Sequence, residues 1–355
     1  MNTEELIISK HINVRETMKA LDEASKGILF VVDKDDKLCG TVTDGDIRRW
    51  ILKSGDMEAC ITEVMNKIPI YITTKDRMKA IDVMYSKAIN AVPILNKDKR
   101  IIDVKFLNKN IKFNMKKDTL TNTPIVIMAG GLGTRLYPYT KILPKPLIPI
   151  GDTPIVERII NKFNEYGVEE FYLTVNYKKN MIKSYFNDIS KDYCIEYIEE
   201  DKPLGTGGSL SLLKGKIKNT FFVSNCDILI DADYDEILKH HKKMKNKITV
   251  IASIKNFQIP YGVFKLNNEG NIDSIQEKPE YTFLINTGMY VIEPEVLDDI
   301  PNNEFYNLPD ILENYRKKGL QVGVYPISEQ SWMDMGQISE MKDMVDKIEQ
   351  NEKND

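Results

Sequence analysis

From Pro124 onward the sequence predicts an α/β fold: a mostly parallel sheet with helices on both faces, preceded by a smaller α/β module built twice. Three observations carry this. Short apolar runs alternate with amphipathic segments of helical period over some two hundred residues, the pattern of a parallel sheet joined by crossover helices. A glycine-rich turn follows directly on the first of those runs, Ile125–Met128. Residues 1–118 contain the same series of elements twice in succession.

The first copy has an N-capping Asn13, an amphipathic helix over Val14–Ala24 and an apolar strand over Ile28–Val32. A charged turn over 33–37 and a second strand over 38–42 follow. The second copy predicts a cap at Asp76, a helix over 77–87, a strand over Ala91–Leu95 and another over 101–104. Two β-α-β-β units of this length each leave one sheet face apolar, and pairing buries both. Only the first copy continues into Thr41-Val42-Thr43-Asp44-Gly45-Asp46, before a helix over 46–53. Thr43 and Asp44 at a helix start are capping residues. A threonine there also meets a phosphate well, and the Asp46 carboxylate can accept both hydroxyls of a ribose. Residues 108–123 are polar and lysine-rich without period and read as a linker, giving domains at 1–118 and 119–355.

In the larger part, Gly130, Gly131 and Gly133 follow the first strand, then Thr134 and Arg135. Glycines at this place let backbone N–H groups turn inward onto a phosphate. Arg135 and Lys145 add positive charge, and prolines at 138, 144 and 146 stiffen the segment. The stretch is not a Walker loop, since no Gly-Lys-Ser/Thr ends it, and it lacks the third glycine of a dinucleotide fingerprint. Gly205, Thr206 and Gly207 precede a helix predicted to begin at the end of that motif. They form either a helix-start loop or a backbone surface against a base. Asn225-Cys226-Asp227 follows a strand over 220–224, and Asp334 lies between a strand-like run and a helix. Aspartates at such ends are placed for a magnesium ion, for a cap or for solvent. Glu277-Lys278-Pro279 offers a lysine as a point charge for phosphate or as an exposed turn residue. Asn286-Thr287-Gly288 enters an apolar strand. A hairpin turns at residues 268–270, and a polar helix over 339–349 leaves no room for a C-terminal β-helix.

Composition narrows the classes. A net charge of −4 gives no electrostatic case for nucleic acid or a membrane surface. No apolar run approaches a membrane span or a signal core. The four cysteines lack a C-x-x-C pair and the three histidines lack zinc spacing. A reducing cytoplasm is the expected location.

Together, Gly130-Gly131-Leu132-Gly133-Thr134-Arg135 with Pro144-Lys145-Pro146 resemble the signature of the sugar-1-phosphate nucleotidylyltransferases. The resemblance implies a Rossmann-like sheet of the glycosyltransferase-A type and transfer of a nucleotide from an NTP to a sugar 1-phosphate, with pyrophosphate leaving. It implies that Arg135 serves the triphosphate and Lys145 the α-phosphate, with Mg²⁺ on Asp227 and Asp334. Gly205, Thr206 and Gly207 would meet the base, Lys278 the sugar phosphate, and Glu277, Asn286, Thr287 and Gly288 the sugar. Cys226 stands where many members have glycine. The Leu-Gly-Thr-Gly-Gly form is most similar to guanylyltransferases, so GTP and an amino-sugar such as glucosamine 1-phosphate are expected. CTP or UTP with another sugar phosphate, or a non-catalytic nucleotide-sensing protein, are the alternatives. The first 118 residues resemble a tandem CBS pair. That implies an adenine nucleotide (AMP, ADP or ATP) at Thr43 and Asp46 and a homo-oligomer through the module. The second copy, Ile101-Ile102-Asp103-Val104, lacks the matching threonine and aspartate.

Overall fold

The structure, a computed structural model, describes residues 3–87, 89–107 and 118–354. Most of the linker reading, residues 108–117, lies outside the described residues. The chain forms two compact units, Met1–Met115 and Lys116–Asp355.

The first unit repeats one topology. Ile7–Ser9 runs parallel to Ile28–Val32, which pairs antiparallel with Leu38–Thr43. Ile72–Thr73 runs parallel to Ala91–Leu95, which pairs antiparallel with Ile101–Phe106. Each antiparallel pair shifts register at the matching place, Val31/Val32 and Ile94/Leu95. The helix Val14–Ala24 is capped by Asn13, whose side chain accepts from Glu16 N–H while Glu16 accepts from Asn13 N–H. The second copy departs from the sequence reading. A 3₁₀ segment, Thr74–Lys79, precedes a shorter α-helix, Ala80–Lys87. Asp76 therefore lies inside the turn and is no N-cap. Its carboxylate takes the Thr73 hydroxyl and the Lys79 ammonium instead.

The second unit is built on a seven-stranded sheet. In spatial order its strands are Cys194–Glu199, Glu170–Val175, Ile125–Met128, Phe221–Asn225, Glu280–Ile292, Ile248–Gln258 and Val322–Ile327. The first four are mutually parallel, and Glu280–Ile292 is antiparallel to both its neighbours. Ile125 and Ile127 face one core with Phe171, Leu173 and Phe222. Val126 and Met128 face a second core with Tyr172, Phe221 and Val223. Burial on both faces explains why these strands read as unbroken apolar runs. Helices Ile155–Asn164, Lys179–Asp188 and Tyr234–Met244 contribute to the first core, and Leu308–Lys317 to the second.

Two elements differ in extent from the sequence expectation. The helix after Leu204 begins at Gly205 rather than beyond the glycines, and the final helix runs Ile338–Asn354. The hairpin forms as expected between Val263–Leu266 and Ile272–Gln276. No β-helix occurs among the described residues.

Candidate active site

The four parallel strands end on one side of the sheet, the side where open α/β folds bind ligands. The glycine turn lies there. A Cβ on Gly130 would come within 2.6 Å of the Glu200 carboxylate. Gly133 has φ +66°, and a Cβ there would meet Thr140 at 2.8 Å and Lys145 at 3.1 Å. The Thr140 hydroxyl fixes that turn by donating to the Gly133 carbonyl at 2.8 Å. Gly131 is different: nothing lies within 4 Å of its absent Cβ, so its bare backbone faces open space.

Lys145 and Asp227, 9% and 7% exposed, form an ion pair. Asp334 is brought beside them by a short antiparallel pairing in which Ile228 faces Asp334 and Met335 N–H donates to the Asp227 carbonyl at 2.8 Å. Burial, then the neighbouring Asp227 and Glu340 carboxylates, push Asp334 up to about 6, against the pull of Lys145. Two neighbouring carboxylates beside a single ammonium leave negative charge uncompensated. Oxygen donors in that state suit Mg²⁺, which is held through one or two carboxylates and completes its shell with waters and substrate phosphates. The residues present fit such an ion.

A cavity of about 290 Å³ opens over this cluster. Of the residues singled out in the sequence, Arg135, Thr206, Asp227, Asn286, Thr287, Gly288 and Asp334 line it, so one site gathers them from five separate segments. Asn286 is aimed by an irregularity in its strand: Ile251 faces Met289 but Ala252 faces Asn286, leaving Thr287 and Gly288 as extra residues. Thr287 is pinned by its hydroxyl, which donates to the Ile251 carbonyl at 2.7 Å. Gly288, at φ +88°, lets the backbone pass against Asn225.

Glu277 and Lys278 do not line the cavity; both are exposed where the hairpin rejoins the sheet. A Cβ on Gly262 would lie 3.0 Å from the Glu277 carboxylate, and Lys278 has φ +44°. The glycines of the Leu-Gly-Thr-Gly-Gly motif have a packing role. A Cβ on Gly205 would come within 2.7 Å of the Tyr306 carbonyl, one on Gly207 within 2.8 Å of Asn307, and one on Gly208 would collide with the Glu304 carbonyl. Thr206, between them, is the residue turned to the cavity, its hydroxyl accepting from Leu308 N–H at 3.2 Å.

Sequence reasoning missed Glu200, Asn225 and Tyr290. Glu200 is 7% exposed at the end of the outermost parallel strand. Its carboxylate accepts from Leu204 N–H at 3.2 Å, and burial pushes it above the usual carboxylate range. An acidic residue closing a strand was the available signal. Asn225 and Tyr290 line the cavity, and the Tyr290 hydroxyl accepts from the Asn286 amide at 2.7 Å.

In the first unit, Thr43 caps the helix Asp44–Lys53 and Asp46 completes the box. Asp46 takes Thr43 N–H at 2.9 Å, the Thr43 hydroxyl at 2.7 Å and Arg49 at 2.5 Å. Of the two expected caps, Thr43 is one; Asp44 is instead the first residue of a helix that begins there rather than at 46.

Residues 125–351, which carry the whole of this cavity, match the family model described as nucleotidyl transferase. The chain belongs to that family. Residues 1–53 match the CBS domain, and the second copy shares the topology of the first. Among curated relatives, the chain is 34% identical to D-glycero-alpha-D-manno-heptose 1-phosphate guanylyltransferase of Campylobacter jejuni, over 54% of this chain and 86% of that one. It is 35% identical to bifunctional protein GlmU of Methanococcus maripaludis, over 59% of this chain but 51% of the relative. It is 34% identical to mannose-1-phosphate guanyltransferase of Aspergillus oryzae, over 60% of each. The chain thus spans about half the length of the GlmU relatives it matches. Among solved structures, HddC from Yersinia pseudotuberculosis superposes with a TM-score of 0.51 at 25% identity, covering 64% of this chain and 99% of that one.

Proposed function

We propose that the protein transfers a nucleotidyl group from a nucleoside triphosphate to a sugar 1-phosphate. The observation that carries this is the Lys145–Asp227–Asp334 cluster beside the glycine turn, whose two aspartates line one cavity with Arg135, Asn286 and Thr287. An oxygen of the sugar phosphate attacks the α-phosphorus, the bond to the bridging oxygen breaks, and pyrophosphate leaves with that electron pair. The attacking oxygen is already anionic, so no general base is needed, and the protein's task is alignment and charge neutralisation. Arg135 meets the triphosphate, and Lys145, held by Asp227, faces the α-phosphate. Asn286 and Thr287 orient the sugar, while Glu277 and Lys278 close over it from the hairpin. When bound at Asp227 and Asp334, Mg²⁺ supplies the remaining positive charge.

GTP is the favoured donor because of Glu200. Its Oε1 lies against Gly130, and a carboxylate accepts from the two adjacent donors on the guanine edge, N1–H and the N2 amine. A uracil edge offers one donor flanked by carbonyls. Glucosamine 1-phosphate is the favoured acceptor. Pyrophosphate release with ATP, CTP, GTP and UTP against several sugar 1-phosphates tests both choices. Release with no pair turns the reading into that of a nucleotide-sensing protein.

The first unit serves as a sensor for an adenine nucleotide at Thr43 and Asp46 and as the contact between copies in a homo-oligomer. Binding requires Asp46 to exchange the Thr43 hydroxyl for a ribose. Calorimetry of the full chain with AMP, ADP and ATP, alongside light scattering for mass, checks these two roles. The proposed location is the cytoplasm. No helix among the described residues is long and apolar enough to cross a membrane.

A further inference from the structure

The segment between the glycine turn and Lys145 is gripped from outside by one short turn, residues 176–178, which follows the strand Glu170–Val175. Tyr177 N–H donates to the Gly130 carbonyl at 3.5 Å, and the Tyr177 hydroxyl donates to the Thr140 carbonyl at 3.1 Å. Lys178 Nζ donates to the carbonyls of Lys141 and Ile142, each at 2.7 Å. Those carbonyls end the single helical turn Tyr139–Ile142, so no amide within it can reach them. Thr140, fully buried, passes the hold on to Gly133 through its 2.8 Å hydroxyl bond. The same turn reaches the base side, where Asn176 donates to the Glu200 carbonyl at 2.8 Å.

Lysine is a poor choice for position 178 on local grounds. Its φ is +51°, a region that favours glycine and asparagine. It occupies the N-cap of the helix Lys179–Asp188 without any side-chain cap bond, and a cation there opposes the helix dipole. The reach of its ammonium to residues 141 and 142 is what the position gains.

We propose that Lys178, backed by Tyr177, is a positioning residue that clamps the 130–145 segment in the pose that presents Arg135 and Lys145 to the triphosphate. The proposal rests on the nucleotidyl-transfer reading for its kinetic consequence, though not for its mechanical one. Lys178→Asn suits the backbone but is too short to reach either carbonyl; Lys178→Arg keeps the donors. In Lys178→Asn the KM for the triphosphate rises about tenfold, the scale of a lost charge-assisted hydrogen bond. The KM for the sugar phosphate stays within about twofold, and Lys178→Arg recovers most of the loss. Amide hydrogen exchange over residues 133–143 quickens in Lys178→Asn and not in Lys178→Arg, whether or not turnover is found. Unchanged exchange in Lys178→Asn overturns the clamp. So does an unchanged triphosphate KM, or an equal rise for both substrates. Faster exchange in a protein without pyrophosphate release keeps the clamp and overturns the transfer reading.

Discussion

Lys145 and Asp227 neutralise each other in a place almost closed to water, so neither can be removed alone without leaving a buried charge. Such a loss costs on the order of 3–5 kcal/mol in stability. The same change strips the site of a charge-stabilising group, worth on the order of 10² to 10³ in rate. Lys145→Ala and Asp227→Ala are therefore expected to lose most pyrophosphate release and to melt earlier. Near wild-type turnover in either folded variant would remove the basis of the assignment. Glu200 makes an opposite bargain between stability and function. Its carboxyl is raised above 4.5 by burial, so ionising it disfavours the folded state. Stability from this group is full below about 4.5 and falls as pH rises through the higher folded value. Glu200→Gln should then melt higher than wild type at neutral pH, with the gap closing near pH 4. The same variant should lose its preference for GTP over UTP, and a preserved preference would leave Glu200 without a role in base choice.

At the scale of elements, glycines that look alike in the sequence do different things. Gly208 lies where a Cβ would run into the Glu304 carbonyl, whereas Gly131 has nothing near it. Gly208→Ala should cost about 1–3 kcal/mol in urea unfolding, the usual price of overpacking. Gly131→Ala should unfold like wild type yet bind triphosphate more weakly. Equal unfolding midpoints for the two variants would contradict this division. The motif was legible in the chain, but its partner segment, residues 304–307, lies a hundred positions away and carries no mark of the contact. Glu200 escaped notice for a related reason, since only the order of strands shows that its carboxylate reaches Gly130. Helix and strand spans such as Val14–Ala24 and Ile28–Val32 were readable because their apolar spacing is local. Asp76 misled because a short acidic residue before an apolar period suits a cap and a 3₁₀ turn equally. A second element-scale device is His241, buried between the Thr249 hydroxyl at 2.7 Å and Glu293 at 3.0 Å. Burial holds its basicity below the ordinary 6.5 despite Glu293. The stability it contributes is present above 6.5 and lost as pH falls through the lower folded value. His241→Gln should flatten the acid limb of a melting-temperature profile taken from pH 7 to 4.5, and an unchanged limb would assign the slope to other groups.

The whole molecule joins a duplicated small unit to a larger one, and the first small copy has a threonine and an aspartate at the start of the helix after its last strand, a pair that the sequence after Ile101 does not repeat. One adenine nucleotide per chain is the expected stoichiometry. Thr43→Ala should abolish the heat of binding and cost about 1 kcal/mol as a lost cap; two sites per chain would point to the second copy. Within the larger unit, the strand Glu280–Ile292 stands between Phe221–Asn225 and Ile248–Gln258 although it is made after both. During synthesis the four parallel strands can assemble as soon as residue 225 has emerged, but Ile248–Gln258 has no place in the sheet until residue 292 follows it. The open edge of Phe221–Asn225, with Asp227 just beyond it, stays unpaired through that interval. A ribosome-stalled chain ending near residue 270 would expose this edge to other chains, and the last carboxylate of the site, Asp334, arrives only after the edge has closed.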